Sequence, residues 1–107
     1  MTTIQLNVPK PIAKLHPKIR EKAMLQSLRD SLNRLISEER EELKDVKLKM
    51  RRFERKYKTS FNAFEKKIPA AGNYKIHEDY GEWPYLHERS QAIMQNIKDY
   101  EHAYGAL

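Results

Sequence analysis

The sequence predicts a mainly α protein. Its elements are a short N-terminal β-strand, a long central helix, a short helix over 60–67, and a C-terminal helix over 84–104 packing antiparallel on the central one. Three observations predict this. Between Pro17 and Pro69 there is neither glycine nor proline, so nothing in that stretch breaks a helix. Apolar residues recur there every three or four positions, the period of one helix face. A second stripe with the same period follows the loop-forming Pro69-Ala70-Ala71-Gly72-Asn73.

The strand comes first. Thr3-Ile4-Gln5-Leu6-Asn7-Val8 alternates polar and apolar side chains, which puts Ile4, Leu6 and Val8 on one face and Thr3, Gln5 and Asn7 on the other. Pro9 and Pro11 end it, because proline cannot donate to a ladder. A lone strand in a helical chain has two unpaired edges, so the segment must pair with a second copy or a partner's sheet, or not be a strand at all. A turn of helix over 11–15 precedes Pro17, which suits the first position of the next helix.

In the central helix Leu25, Leu28, Leu32 and Ile36 open the stripe, and Leu43, Val46, Met50, Phe53 and Tyr57 continue it. Glu39 interrupts the line, and Ser37-Glu38-Glu39-Arg40 reads as a capping start. The stretch is therefore either one helix or two meeting near 36–37. Thr59 or Ser60 caps the short helix, whose apolar face is Phe61, Phe64 and Ile68. The last helix is expected to begin near Pro84, with Leu86, Ile93, Ile97, Tyr100 and Tyr104 in heptad spacing and Ser90 filling the missing position. A helix as long as the central one cannot bury its stripe against itself. Association with its own last helix, a copy of itself or another protein is therefore expected.

Composition narrows the function. Hydrophobic residues are 39% and charged residues 34% of 107, a balance suited to narrow buried stripes and broad solvated faces rather than an enclosed cavity. There is no cysteine, which removes disulfides, thiolate zinc sites and cysteine nucleophiles. No apolar run is long enough for a membrane span and no signal peptide opens the chain, so a cytoplasmic, membrane-free protein is expected. His16, His77, His87 and His102 do not fall at metal-ligand spacing, although His77-Glu78-Asp79 could hold a divalent ion loosely. With no nucleophile elbow and no phosphate-binding glycine loop, a non-enzymatic binding role without cofactor is expected.

Charge supplies the candidate nucleic-acid sites. The net charge is +6, and Lys10, Lys14, Lys18 and Arg20 precede the first acid. Between 44 and 58 the bases Lys44, Lys47, Lys49, Arg51, Arg52, Arg55, Lys56 and Lys58 face only Asp45 and Glu54. Such a run is either a solvated helix face or an attraction for phosphate backbones. Arg51, Arg52 and Arg55 are its candidate contacts. A ribbon of two N-terminal strands would add Thr3, Gln5 and Asn7 as base readers in a major groove, with Lys10 near phosphate. The aromatics Phe53, Tyr57, Phe61, Phe64, Trp83 and Tyr85 are either core or partner-binding anchors.

Three segments carry a resemblance. Thr3-Ile4-Gln5-Leu6-Asn7-Val8-Pro9 resembles the opening strand of ribbon-helix-helix repressors. The run from Phe53-Glu54-Arg55-Lys56-Tyr57 through Ser60-Phe61-Asn62-Ala63-Phe64-Glu65 is similar to a segment of small prokaryotic antitoxin-like proteins. Glu78-Asp79-Tyr80-Gly81-Glu82-Trp83 resembles the acidic-Trp element ahead of their last helix. The resemblance implies a type II toxin–antitoxin role. Residues 1–58 would dimerise and bind operator DNA, and residues 59–107 would occlude a cognate toxin. The chain departs from the repressor pattern in lacking a glycine turn between Leu15 and Leu43. Two other classes stay open: a stand-alone nucleic-acid-binding helical protein using the basic 44–58 face, and a structural coiled-coil adaptor.

Overall fold

Pro17 fixes the first helical turn of the long helix, and the His16 imidazole caps it by accepting from the backbone N–H of Lys18 at 3.2 Å. In the computed structural model, residues 3–66 and 74–107 are described, with side chains of the last segment described from Glu78 onward. The elements are α1 (Lys10–Ala13), α2 (Pro17–Tyr57), α3 (Phe61–Lys66) and α4 (Tyr74–Gly105). The 41 residues of α2 give a rod of about 60 Å. The whole molecule measures 68 × 23 × 21 Å.

The long stretch is one helix, with no break near 36–37. Ile36 is buried on one side of the interruption and Leu43 is half-buried on the other, so a break at Ser37 would unseat both. Glu39 stands in the apolar line with its Oε2 buried and without a hydrogen-bond partner among the described residues, and the Arg89 guanidinium of α4 is the cation whose charge acts on it. The Arg89 guanidinium is held above its usual range, first by its hydrogen bonds to Glu42 and to a smaller extent by the charge of Glu39.

α2 ends at Lys58, whose backbone turns left-handed (φ 52°, ψ 40°) and donates to the Glu54 carbonyl, with Thr59 N–H reaching the same oxygen at 3.2 Å. A side chain at this position strains the backbone where glycine would not. Lys58→Gly is expected to raise unfolding stability by about 1 kcal/mol, read from urea denaturation. Ser60 then caps α3, its Oγ accepting from the Ala63 N–H at 3.3 Å. The loop expected at 69–73, Ile68 and the side chain of His77 lie outside the described residues.

α4 runs antiparallel to α2, and the core is the seam between them. Val46, Leu86 and Ile93 form one buried cluster, with Leu43, Met50, Phe53 and Ile97 packed against it. Phe61, Phe64 and Trp83 form a second, closed by Met50, Phe53 and Tyr57, so α3 folds over the end of the hairpin. Ser90 fills its place in the stripe as expected: it is buried and its Oγ donates to the His87 carbonyl at 2.7 Å. Polar ties along the seam fix the register. Arg89 grips Glu42 with two bonds of 2.7 and 2.8 Å, Arg40 meets Glu101 at 2.7 Å, and Lys56 meets Asp79 at 2.5 Å.

Two sequence expectations need correction. No strand exists among the described residues: 3–9 is irregular and exposed, with Ile4 78% accessible. The alternating pattern is present, but the chain supplies no neighbouring strand to complete a ladder, and unpaired extended backbone does not hold a strand geometry. The second concerns α4, which begins at Tyr74 rather than near Pro84 and carries that proline in its interior. Burial of Trp83 and Leu86 on either side of Pro84 offsets the backbone bond that proline cannot donate to the Tyr80 carbonyl.

A candidate nucleic-acid interface

The period that buries the apolar stripe of α2 also sorts its charges. With roughly 3.6 residues per turn, the bases Arg40, Lys44, Lys47, Arg51 and Arg55 recur every three or four positions on one face, and Lys58 continues the line at the cap. This stripe runs about 22 Å from Arg40 to Arg55, with about 5–6 Å between successive charges. All six are exposed. Arg40 is paired with Glu101, an exposed contact. Among the described residues, Lys44, Lys47, Arg51, Arg55 and Lys58 enter no salt bridge and no side-chain hydrogen bond. Of the acids that α4 brings to α2, Asp79 pairs with Lys56 off the stripe and Glu101 with Arg40 at its first position.

A cleft of about 450 Å³ with a mixed polar and apolar lining borders the stripe, its walls including Lys47, Met50, Arg51, Glu54, His87 and Met94. Its floor is built rather than loose. The Phe61 and His87 rings stack at 4.5 Å with 21° between planes, and the Gln91 amide lies 3.2 Å from His87 Nε2. Ser60 and Asn62 at the start of α3 add further hydrogen-bonding groups to the rim. Cations on one side and polar and aromatic groups on the other suit a ligand that is anionic along its length and planar in its side groups.

Of the residues expected to contact nucleic acid, Arg51 and Arg55 lie on this stripe and Arg52 sits beside it, one step around the helix. Lys10 is exposed in α1. Thr3, Gln5 and Asn7 are exposed too, but without a strand they form no ribbon face, so groove reading by that ribbon is withdrawn. The expected partner anchors are largely consumed internally. Trp83 has 0% of its surface exposed, Phe61 and Phe64 are buried, and Phe53 and Tyr57 are half-buried against them. The Tyr57 hydroxyl donates to Asp79, and desolvation first, then that bond, pushes the phenol above its ordinary range. Only Tyr85 of that set, at 64% exposure, is free to meet another molecule.

Sequence reasoning passed over Lys44, Lys47 and Lys58 as individual contacts and did not see the cleft. The first omission had a signal: applying the three-four spacing to bases as well as to apolar residues selects the stripe. The second had none, because the cleft joins residues of α2, α3 and α4 that are remote in sequence. Among the described residues no cluster of His, Asp and Glu could hold a metal ion, and no helix is long and apolar enough to cross a membrane. No protein-family model, curated protein or solved structure matches the chain.

Proposed function

We propose that this protein binds nucleic acid along its phosphate backbone, without catalysis, through the α2 stripe and the cleft beside it. The observation that carries the reading is the alignment of Lys44, Lys47, Arg51 and Arg55 on one exposed face with no intramolecular acid satisfying them. A solvated face with no partner commonly interleaves both signs and pairs them at one-turn spacing. Here Lys44, Lys47, Arg51 and Arg55 outnumber the one acid at their border, exposed Glu54, which leaves a strongly basic edge. Phosphate contacts would position the strand, and His87, Gln91 and Asn62 at the cleft would receive a base or sugar edge. Toxin occlusion in the manner of an antitoxin is the weaker reading, because the aromatics it needs as anchors are already packed in the hairpin core.

The test is fluorescence anisotropy with labelled DNA and RNA oligonucleotides across a salt series. Contact with about four phosphates predicts a log–log slope near −3.6 on duplex and near −2.8 on single strands. Arg51→Ala with Arg55→Ala is expected to flatten the slope by about 1.5 to 2 and to weaken all sequences alike. Binding that is absent at low salt, or indifferent to salt, ends the proposal.

A further inference from the structure

α4 covers only part of α2. Just past its end the Arg29 guanidinium donates to the Leu107 carbonyl at 3.1 Å, so the first turns of α2 extend past the hairpin. One face of that arm carries exposed apolar residues, Leu28 at 50% and Leu35 at 39%. Leu6, Ile12 and Leu15 fold back beside Met24 and Leu28, leaving an apolar groove of about 420 Å³. An uncovered apolar surface of this kind marks an interaction site.

We infer that a second copy of this chain fills the groove, with the α2 arms packed antiparallel. The seam Met24, Leu28, Ser31, Leu35 is spaced four, three, four, so it reads the same in both directions. An antiparallel copy centred between Leu28 and Ser31 sets Met24 against the partner's Leu35 and Leu28 against the partner's Ser31, large opposite small. Charge selects the same direction. Lys18 and Arg20 fall beside the turn of the second copy that holds the exposed Glu38 and Glu41, whereas a parallel pairing would set the bases against bases. The register also brings Glu21 near the partner's Glu38, a like-charge approach flanked by Lys18 and Lys22. Overlap of residues 17–42 is about 39 Å long and about 10 Å wide, on the order of 400 Å² per copy. This is about half of the roughly 800 Å² per partner typical of stable dimers, the size of a weak, concentration-dependent association.

The inference does not depend on nucleic-acid binding, since none of these residues belongs to the 44–58 stripe. Sedimentation velocity of the full chain, 12.8 kDa, is expected to show a concentration-dependent dimer. Leu28→Glu is expected to give monomer with unchanged helical circular dichroism, because Leu28 is outside the hairpin core. Arg20→Glu or Glu41→Arg alone is expected to weaken association about tenfold, and the two together to restore it. The chain has no cysteine, so Met24→Cys and Leu35→Cys variants, mixed, are expected to cross-link to each other and not to themselves. A chain that stays monomeric at high micromolar concentration overturns the inference and leaves the groove to another occupant. A dimer that ignores Leu28→Glu, or in which the charge swap fails to restore binding, overturns it as well.

Discussion

Trp83→Ala is expected to cost about 3–5 kcal/mol of unfolding stability, a large share of the roughly 5–15 kcal/mol that keeps a domain folded. Trp83 is wholly buried and is the hub of the second core cluster. Its ring lies 4.7 Å from Phe64, 5.5 Å from Phe53, 5.6 Å from Phe61 and 6.0 Å from Tyr57. Truncation to alanine removes the surface that four other aromatics pack on, and α3 has little else to hold it. Urea denaturation followed by circular dichroism reads the loss directly. Trp83→Phe separates the packing of the ring from its polar atom. The indole Nε1 has no hydrogen-bond partner among the described residues, so replacing the indole with a phenyl ring removes an unsatisfied buried donor along with part of the volume. That variant is expected to cost less than half as much as the alanine. A loss below about 1 kcal/mol for Trp83→Ala would mean that this cluster is not the core.

The same burial explains how far the sequence could be read. Helical spacing over 25–57 and 86–104 announced both long helices, their pairing and the place of Ser90, because a stripe at that period has few other uses. Ser60 was legible as a cap for a chemical reason, its hydroxyl reaching the Ala63 N–H. The errors have a common origin in tertiary context. Alternation at 3–8 describes a strand only if a neighbour completes its ladder, and nothing in a single strand's sequence reports the neighbour. Aromatics at 53, 57, 61, 64 and 83 have one composition whether they face a partner or each other. Their mutual enclosure depends on α3 folding back over the hairpin end, a contact between segments about twenty residues apart. The basic stripe was half legible: its residues were visible as a charge run, but that Lys44, Lys47, Arg51 and Arg55 form no ion pair required knowing where α4 sets Asp79 and Glu101, against Lys56 and Arg40.

Pro84→Ala is expected to stabilise the protein by about 2–3 kcal/mol, the reverse of the Trp83 result one residue away. Proline is the usual residue of a helix's first turn, which is why the sequence places the start of the last helix there. In the structure ten helical residues precede it, and an interior proline both withholds a bond from the Tyr80 carbonyl and crowds it. Alanine restores the donor, and the loss of the half-buried ring is small beside that gain. Gly81, in the same turn, has open space where a Cβ would sit, so Gly81→Ala is expected to add about 0.5–1 kcal/mol more. The midpoint of thermal unfolding should rise by about 4–8 °C for each kcal/mol gained. The sign of the Pro84 effect carries the information. If alanine stabilises, α4 is continuous through residue 84, and the register that brings Asp79 to Lys56 and Tyr57 is held by helix on both sides of Trp83. If alanine destabilises, Pro84 is acting as a helix start. Residues 74–83 then form a separate segment, and the packing of Trp83 against α3 must be secured by its ring contacts alone.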